Sequence, residues 1–129
     1  MKKHKTETIV VCGKRIDVDE GIVAIVLWFN RSGAKTLYSC QGDKSCIAAG
    51  TYLPYVCFSC SRKFFVKLTR LIEDFLLKND DVKSLYLSED WIWENGKLEK
   101  KHNISLINQN VKNRFTNFVL KNYGEWAGR

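Results

Sequence analysis

Apolar and β-branched residues recur in short runs that predict six strands along the chain. Such runs, bounded by turn residues, are typical of β-structure. In chain order the strands are predicted at Thr8–Cys12, Arg15–Val18, Ala34–Cys40, Tyr52–Cys60, Val82–Trp93 and a return segment that starts at Lys97 and continues through Ile104–Ile107. The fourth is expected to begin irregularly at Pro54, and the fifth to be kinked at Ser88–Asp90. Asn95 and Gly96 predict a type I′ hairpin turn between the last two, because both central residues of that turn need positive φ.

Three other segments carry apolar residues at the spacing of a helix. They begin at Ile22, after Ser61 and after Asn108. Asp19 stands at the N-cap position of the first, and Asn79–Asp81 closes the second. The inward positions of the second and third helices are predicted to be Phe64, Phe65, Leu68, Leu71, Ile72, Phe75, Leu76, Val111, Phe115, Phe118 and Val119.

The resulting order of elements is ββ-α-ββ-α-ββ-α. It predicts the α+β class, with an antiparallel or mixed sheet and about three helices on one face of it. The chain has 129 residues and one proline, with no internal repeat and no Pro-, Gly- or Ser-rich linker. A chain of this length buries about two thirds of its unfolded surface. Residues 1–129 are therefore predicted to form a single domain.

Composition excludes several classes of protein. Hydrophobic residues make up 45% of the chain, which is typical of a globular protein and not of a disordered or collagen-like one. The longest apolar run, Ile22–Phe29, is much shorter than the about 20 residues of a membrane helix. No apolar stretch follows the Lys-rich start, so we predict no signal peptide, no membrane association and a cytoplasmic protein. Five cysteines, an odd number, argue against a closed disulfide framework.

The charge of the chain favours an anionic partner. Lys and Arg number 21 against 14 Asp and Glu, which gives a formal net charge of +7. Much of the surplus lies in the N-terminal segment, the second predicted helix and the last hairpin and helix, whereas residues 80–90 are acidic. This distribution favours a positively biased pocket or face over uniform attraction to polyanions.

The most unusual segment is the strand end formed by Tyr38, Ser39, Cys40, Gln41 and Gly42. A strand that ends in small polar residues and glycine can turn its backbone N–H groups into a concave cradle for an anion. Ser39 and Gln41 would add side-chain hydrogen bonds, and Gly42 allows close approach of a ligand. The alternative is that Gly42 only begins the turn that leaves the strand, since no P-loop or dinucleotide fingerprint is present.

These residues resemble those of a family of small, largely uncharacterised phage and bacterial proteins. The family has a Gly-x-x-Thr-x-x-Ser-Cys-x-Gly strand-turn and a Tyr-x-x-Phe strand, which correspond here to Gly33, Thr36–Asp43, Pro54–Val56 and Phe58, preceded by Trp28–Asn30. A fainter similarity is to the wybutosine tRNA-modification family, whose strand ends in Ser-Cys-Ser-Gly. Because Gln41 replaces the second Ser and no Arg follows, that activity is not carried over. The resemblance implies a ligand-facing turn and a viral origin, but no reaction.

A viral origin favours one kind of binding function. Phages encode small α+β proteins that sequester nucleotide immune signals, and such proteins need cations for phosphate and aromatic faces for bases. The candidate cations at the start of the second predicted helix are Arg62, Lys63, Lys67 and Arg70; the first two lie in its first turn, where backbone N–H groups already favour an anion. Tyr38, Tyr55, Trp91 and Trp93 are candidate stacking faces. We therefore predict non-catalytic binding of a small anionic, nucleotide-like ligand in the host cytoplasm; the alternative is a solvated basic helix face over an aromatic core.

The cysteines offer a different site. Cys40, Cys46, Cys57 and Cys60 lie within 21 positions, and zinc binds tetrahedral sets of thiolates. On a strand, however, Cys57 and Cys60 point to opposite faces, so free or buried thiols are favoured and no cofactor is predicted. Cys40 and His102 form a conceivable nucleophile–base pair, but spacing marks no third group. The sequence leaves enzymatic activity open and favours its absence.

Two further partners follow from charge and from aromatic residues. The second helix, Lys100–His102, Lys112 and Arg114 would form a basic face for RNA or DNA, although solvated lysines are the plainer interpretation. Trp126 lies close to the C-terminal end, where an unpartnered indole is unusual, and it predicts a homo-oligomer. An RNA- or DNA-binding accessory protein, or a minor nucleotide- or tRNA-acting enzyme, are the alternatives to nucleotide capture.

Overall fold

The computed structural model of the chain describes residues 5–11, 13–40 and 53–124. The predicted loop Asp43–Gly50 and the residues Cys12, Gln41, Gly42, Cys46 and Trp126 lie outside them. The described elements are β1 (Thr6–Val11), β2 (Lys14–Asp19), a 3-10 turn (Glu20–Ile22), α1 (Val23–Arg31), β3 (Lys35–Cys40), β4 (Tyr55–Ser59), α2 (Arg62–Lys78), β5 (Tyr86–Glu94), β6 (Lys97–Ser105) and α3 (Gln109–Tyr123). The predicted order of elements and the α+β class are confirmed.

The last two strands differ from the prediction in their limits. β5 begins at Tyr86 instead of Val82, and it continues without a kink through Ser88–Asp90 because every residue there pairs with β6. β6 ends at Ser105 and does not reach Ile107. Ile107 has a φ of 66°, which turns the chain out of the extended conformation before α3.

The start of the first helix also differs from the prediction. Asp19 ends β2 and precedes the 3-10 turn, without capping that turn through its side chain. The other two caps are as predicted. The Ser61 hydroxyl accepts the N–H of Phe64 at 3.1 Å, and the Asn108 side chain accepts the N–H of Val111 at 2.9 Å. These bonds satisfy backbone donors that the first turn of a helix leaves unpaired.

The strands form two antiparallel sheets. β1 and β2 make a two-stranded hairpin, and the other strands make a four-stranded sheet in the order β3-β4-β6-β5. Asn95 and Gly96 have φ values of 52° and 75°, which confirms the predicted hairpin turn. β4 pairs with β6 only from Tyr55 to Phe58, opposite residues 102–105. Residues 91–100, here called the hairpin arm, therefore extend beyond the paired part of β4.

The hydrophobic core lies on one face of the four-stranded sheet. Strand residues Val56, Phe58, Ile104 and others meet the apolar stripe of α2, and the buried apolar side chains form one cluster. The fully buried large side chains of that cluster include Phe29, Phe58, Phe75, Phe115, Leu68, Leu71 and Ile104. Truncating a buried phenylalanine of this kind costs about 3–5 kcal/mol.

A polar contact joins the end of α2 to α3. The Arg114 guanidinium donates to both carboxylate oxygens of Asp81, at 2.7 and 2.8 Å, and to the side-chain oxygen of Asn79 at 2.8 Å. The hydrogen bond from Arg114 lowers the pKa of Asp81 below its usual value.

None of the described helices has the length and apolar content needed to cross a bilayer.

Candidate functional site at the start of α2

Three neighbouring elements place a thiol, an imidazole and a carboxylate in a row. Directly opposed residues of antiparallel strands share a face. Phe58 of β4 is opposite His102 of β6, and His102 is opposite Glu89 of β5. Cys60 lies two residues after Phe58, so its side chain returns to the same face as Phe58. The strands thus bring Cys60, His102 and Glu89 together where β4 ends and α2 begins.

His102 contacts both of the other groups. The Cys60 Sγ atom lies 3.7 Å from Nδ1 of His102, and Nε2 of His102 lies 3.2 Å from Oε1 of Glu89. The imidazole is only 3% exposed. It stacks on Phe58, with ring centroids 5.5 Å apart, and packs against Phe65 at 4.7 Å. Two aromatic rings and two hydrogen-bonding partners therefore fix its orientation.

Charge assigns the protons in this row. The hydrogen bond with His102 lowers the pKa of Glu89, and the positive charges of Lys100 and Arg62 act in the same direction. An ionised carboxylate only accepts hydrogen bonds, so Nε2 of His102 carries the proton between them. In the neutral imidazole Nδ1 is then the acceptor, and it faces the Cys60 thiol. Burial, followed by the negative charge of Glu89, raises the pKa of Cys60 to about 11, so the thiol is neutral and donates to Nδ1 at neutral pH.

Cations and indole rings flank the row. The Lys100 ammonium is 3.6 Å from Oε1 of Glu89 and lies over the Trp91 ring, 5.1 Å from its centroid. Trp91 and Trp93 alternate along β5 and share a face of the hairpin arm, where they are 63% and 74% exposed. Arg62 is in the first turn of α2, close enough to lower the pKa of Glu89. The site thus has positive charge and open aromatic faces on one side of the sheet.

The predicted ligand-binding residues fall into two groups that the structure keeps apart. Arg62, Lys63, Trp91 and Trp93 belong to the end of the sheet described above. Ser39 is opposite Val56 and Cys40 is opposite Tyr55, at the far end of β4 from α2. Val56 and Ser61 are five positions apart along an extended segment, which corresponds to about 17 Å. The predicted pocket between the Ser39–Gly42 turn and the start of α2 is therefore not assembled by the described residues, and Gln41 and Gly42 lie outside them.

Tyr38 and Ser39 line a different cavity. It has a volume of about 280 Å³, lies between β2 and β3 and is walled by Asp17, Val18 and Tyr55 among others. Tyr38 also borders an open groove with Lys101, whose ammonium pairs with Glu94. The cavity shares no residue with the row at Cys60, whereas the groove is also lined by Lys100, which contacts Glu89. Tyr38 itself is opposite Cys57, on the sheet face that does not carry the core.

The described cysteines do not form the zinc set that spacing left open. Cys57 is opposite Asn103 and faces away from His102, whereas Cys60 lies beside it, so the two thiols are on opposite faces as predicted for a strand. Both are free thiols. Within residues 5–11, 13–40 and 53–124, no cluster of three or more His, Cys, Asp or Glu side chains is arranged around a metal position. The thiol that contacts His102 is Cys60; the side chain of Cys40, which the sequence suggested as its partner, lies outside the described part of the structure.

Part of this row was accessible from the sequence. A two-residue turn at Asn95 and Gly96 pairs residues whose numbers add to 191, and this register places Glu89 opposite His102. Cys60 was missed because its approach to His102 depends on the pairing of β4 with β6, which no local signal encodes.

Comparisons of the chain with protein-family models, with curated proteins and with solved structures gave no match.

Proposed function

We propose that this protein binds a small anionic, nucleotide-like ligand between the first turn of α2 and the hairpin arm. The observation that carries the proposal is the position of the Lys100 ammonium over the ring of Trp91, beside the exposed ring of Trp93. A nucleotide needs a cation for phosphate and an aromatic face for its base. On this surface Lys100 supplies the cation and Trp91 the aromatic face, and the two side chains are in contact. The proposal concerns binding, which needs no chemical step.

The charges around this surface support an anion. Arg62, Lys63 and Lys100 carry three positive charges against the one negative charge of Glu89. Arg62 and Lys63 also lie in the first turn of α2, a helix of 17 residues whose N-terminal end favours negative charge. Lys100 already contacts Glu89, so a phosphate would share this cation with the carboxylate.

Single substitutions test the proposed surface. Arg62→Ala and Trp91→Ala should each weaken binding roughly tenfold or more in calorimetric titrations with linear and cyclic ribonucleotides, because each removes one charge-assisted or stacking contact. Two matched controls remove similar side chains elsewhere: Arg15→Ala at an exposed position of β2, and Tyr86→Ala on the opposite face of β5. Affinity lost equally in the controls, or unchanged in Arg62→Ala and Trp91→Ala, contradicts the site.

The biological setting that we propose is capture of a host signalling nucleotide in the cytoplasm of a phage-infected cell. It is supported by the resemblance of Thr36–Asp43 and Pro54–Phe58 to small phage and bacterial proteins. Capture differs from hydrolysis in a simple way, since mass spectrometry should recover the bound nucleotide intact after the protein is denatured.

We further propose a homo-oligomer, supported by exposed rings at Tyr38 and Tyr86; light scattering during gel filtration should give a mass above 15.0 kDa.

A second candidate function is binding of single-stranded RNA or DNA. It is favoured by the spacing of Trp91 and Trp93, which share a face two residues apart, about 7 Å along the strand. Successive bases stack on such rings in proteins that bind single strands. Affinity for an oligonucleotide would then fall steeply as salt rises, because counterions are released from the phosphates. A shallow salt dependence together with saturable mononucleotide binding would instead support the first proposal.

A further inference from the structure

We propose that Cys60 is a nucleophile for activated acyl groups, with His102 as its general base and Glu89 as the residue that positions His102. The inference is independent of the nucleotide proposal, because it rests on contacts within the protein. Its basis is the row of hydrogen bonds from the Cys60 thiol through Nδ1 and Nε2 of His102 to Oε1 of Glu89. A nucleophile, a base and a group that orients the base recur on unrelated folds as one catalytic arrangement.

The direction of each hydrogen bond suits proton transfer. Glu89 is ionised and accepts from Nε2, which leaves the lone pair of Nδ1 aimed at the thiol. As the thiol loses its proton to Nδ1, the imidazolium that forms lies against the Glu89 carboxylate and is stabilised by it. Phe58 and Phe65 both pack against the ring, so little reorientation accompanies the transfer. This pre-organisation is what distinguishes Cys60 from an ordinary buried thiol.

The raised pKa of Cys60 defines the kind of catalysis. A thiol that is neutral at rest is not a preformed thiolate, so the proton must leave as the sulfur attacks. General-base assistance by His102 is therefore required. The titratable groups that face His102 are Cys60 and Glu89, with Lys100 and Arg62 acting on Glu89.

The reaction is balanced with water as the second substrate. The Cys60 sulfur bonds to the carbonyl carbon of an ester or thioester while Nδ1 takes the thiol proton. The bond to the leaving alcohol or thiol then breaks, and the leaving group takes that proton. Water next attacks the acyl-enzyme, gives a proton to Nδ1, and the released sulfur recovers it. The products are a carboxylic acid and an alcohol or thiol, with no oxidant or reductant.

The start of α2 supplies a place for the negative charge that develops on the carbonyl oxygen. Cys60 is followed by the N-cap Ser61 and by the first turn at Arg62 and Lys63. The helix dipole and the backbone N–H groups of a first turn stabilise an oxyanion, as donors in an oxyanion hole do. The Ser61 hydroxyl accepts the N–H of Phe64 as the helix cap. The Cys60 thiol, and not this hydroxyl, is therefore the nucleophile.

The full chain with p-nitrophenyl acetate as the probe tests this inference. We expect release of p-nitrophenolate together with one acetyl group on Cys60, found by peptide mass spectrometry and removed by hydroxylamine as a thioester is. Cys60→Ala should abolish this adduct. Cys57→Ala is the matched control, because Cys57 is also a free, partly buried thiol with a raised pKa but faces Asn103 and not His102.

Variants of the other two residues separate a catalytic role from a structural one. His102→Gln should slow acylation roughly a hundredfold, the usual loss on removing a general base. Glu89→Gln should slow it roughly tenfold or more and change its pH dependence, since the carboxylate no longer favours the imidazolium. Glu94→Gln is the control, on the same strand but paired with Lys101. Circular dichroism of each variant verifies the fold; if His102→Gln is misfolded, the half-exposed Glu89 still allows the test.

Two results overturn the inference. One is an acetyl group distributed equally over Cys57 and Cys60. The other is acylation of Cys60 at a rate that neither Glu89→Gln nor His102→Gln changes, which would make Cys60 a partly buried thiol that lies beside a histidine without being activated by it.

Discussion

His102 is the residue on which the chemistry of the site depends. His102 is buried and has a thiol on Nδ1, a carboxylate on Nε2 and two aromatic rings packed against it. Each contact constrains the same ring, and together they determine which nitrogen carries the proton. From the sequence, His102 was predicted only as a partner of Cys40 or as part of a basic face with Lys100 and Lys101, because neither its burial nor its strand neighbours can be inferred from the adjacent lysines.

At the residue scale, the Cys60 thiol predicts how stability depends on alkaline pH. Its pKa is near 9.0 in the unfolded chain and about 11 in the folded one. Between these values the unfolded state loses the proton that the folded state keeps, so the free energy of unfolding should decrease as pH rises from 9 to 11. Below pH 9 this contribution is fully present.

Urea denaturation at pH 7, 9 and 10.5 measures this effect. Cys60→Ala should show a smaller alkaline decrease than the wild type, whatever its stability at pH 7. Tyr123 has a raised pKa and contributes to the same decrease in both proteins. An identical decrease with and without Cys60 would show that the thiol does not titrate as the structure implies.

At the scale of elements, the turn between β5 and β6 was correctly predicted, although the limits of the two strands were not. Asn95 and Gly96 determine both its turn and its register, and this register alone places Glu89 opposite His102 and Trp91 opposite Lys100. The pairing of β6 with β4 was not predicted, because it joins strands that are separated by a whole helix and depends on packing across the core. The contact between Cys60 and His102 depends on that pairing. Only the contact between Glu89 and His102 therefore follows from local sequence.

The turn can be tested directly. Gly96 has a φ of 75°, and nothing lies within 4 Å of the position that a Cβ atom would occupy. Gly96→Ala should therefore destabilise the protein by about 1 kcal/mol through backbone conformation alone. Asn95→Gly is the control, since glycine adopts the φ of 52° readily, and it should be nearly neutral. Equal effects of the two changes in thermal unfolding would contradict a type I′ turn.

The contact between α2 and α3 supports a second prediction at this scale. Arg114 holds Asp81 through two hydrogen bonds, so Arg114→Ala and Asp81→Ala should each lower the melting temperature. The double variant should lose less than the sum of the two, because either single change already removes the shared contact. Additive losses would mean that the pair does not interact in solution. High salt should reduce each single effect, since Asp81 is exposed.

At the scale of the whole molecule, the amphipathic pattern was sufficient for the α+β class and the order of elements. The apolar stripe of α2 and the alternation of β4 both direct their residues to one face of the sheet, which is why that level was predictable. The position of a ligand site was not predictable in this way, because the local pattern of residues does not determine which ends of the elements meet. Ser39 and Arg62 both lie at element ends, yet β4 holds them at opposite ends of the sheet.

We propose that the functional surface lies where α2 begins against the hairpin arm, and not at the end of β3. Nuclear magnetic resonance of the ¹⁵N-labelled chain titrated with ATP, and separately with cyclic di-GMP, tests it most directly. The indole N–H of Trp28 is an internal control, because that ring is 3% exposed and donates to the Tyr123 carbonyl at 3.0 Å. We predict saturable shifts of the Trp91 indole and of the Arg62 and Lys63 amides, with Trp28 unchanged. Shifts concentrated at Tyr38 and Ser39, with Trp91 and Arg62 unmoved, would contradict the account.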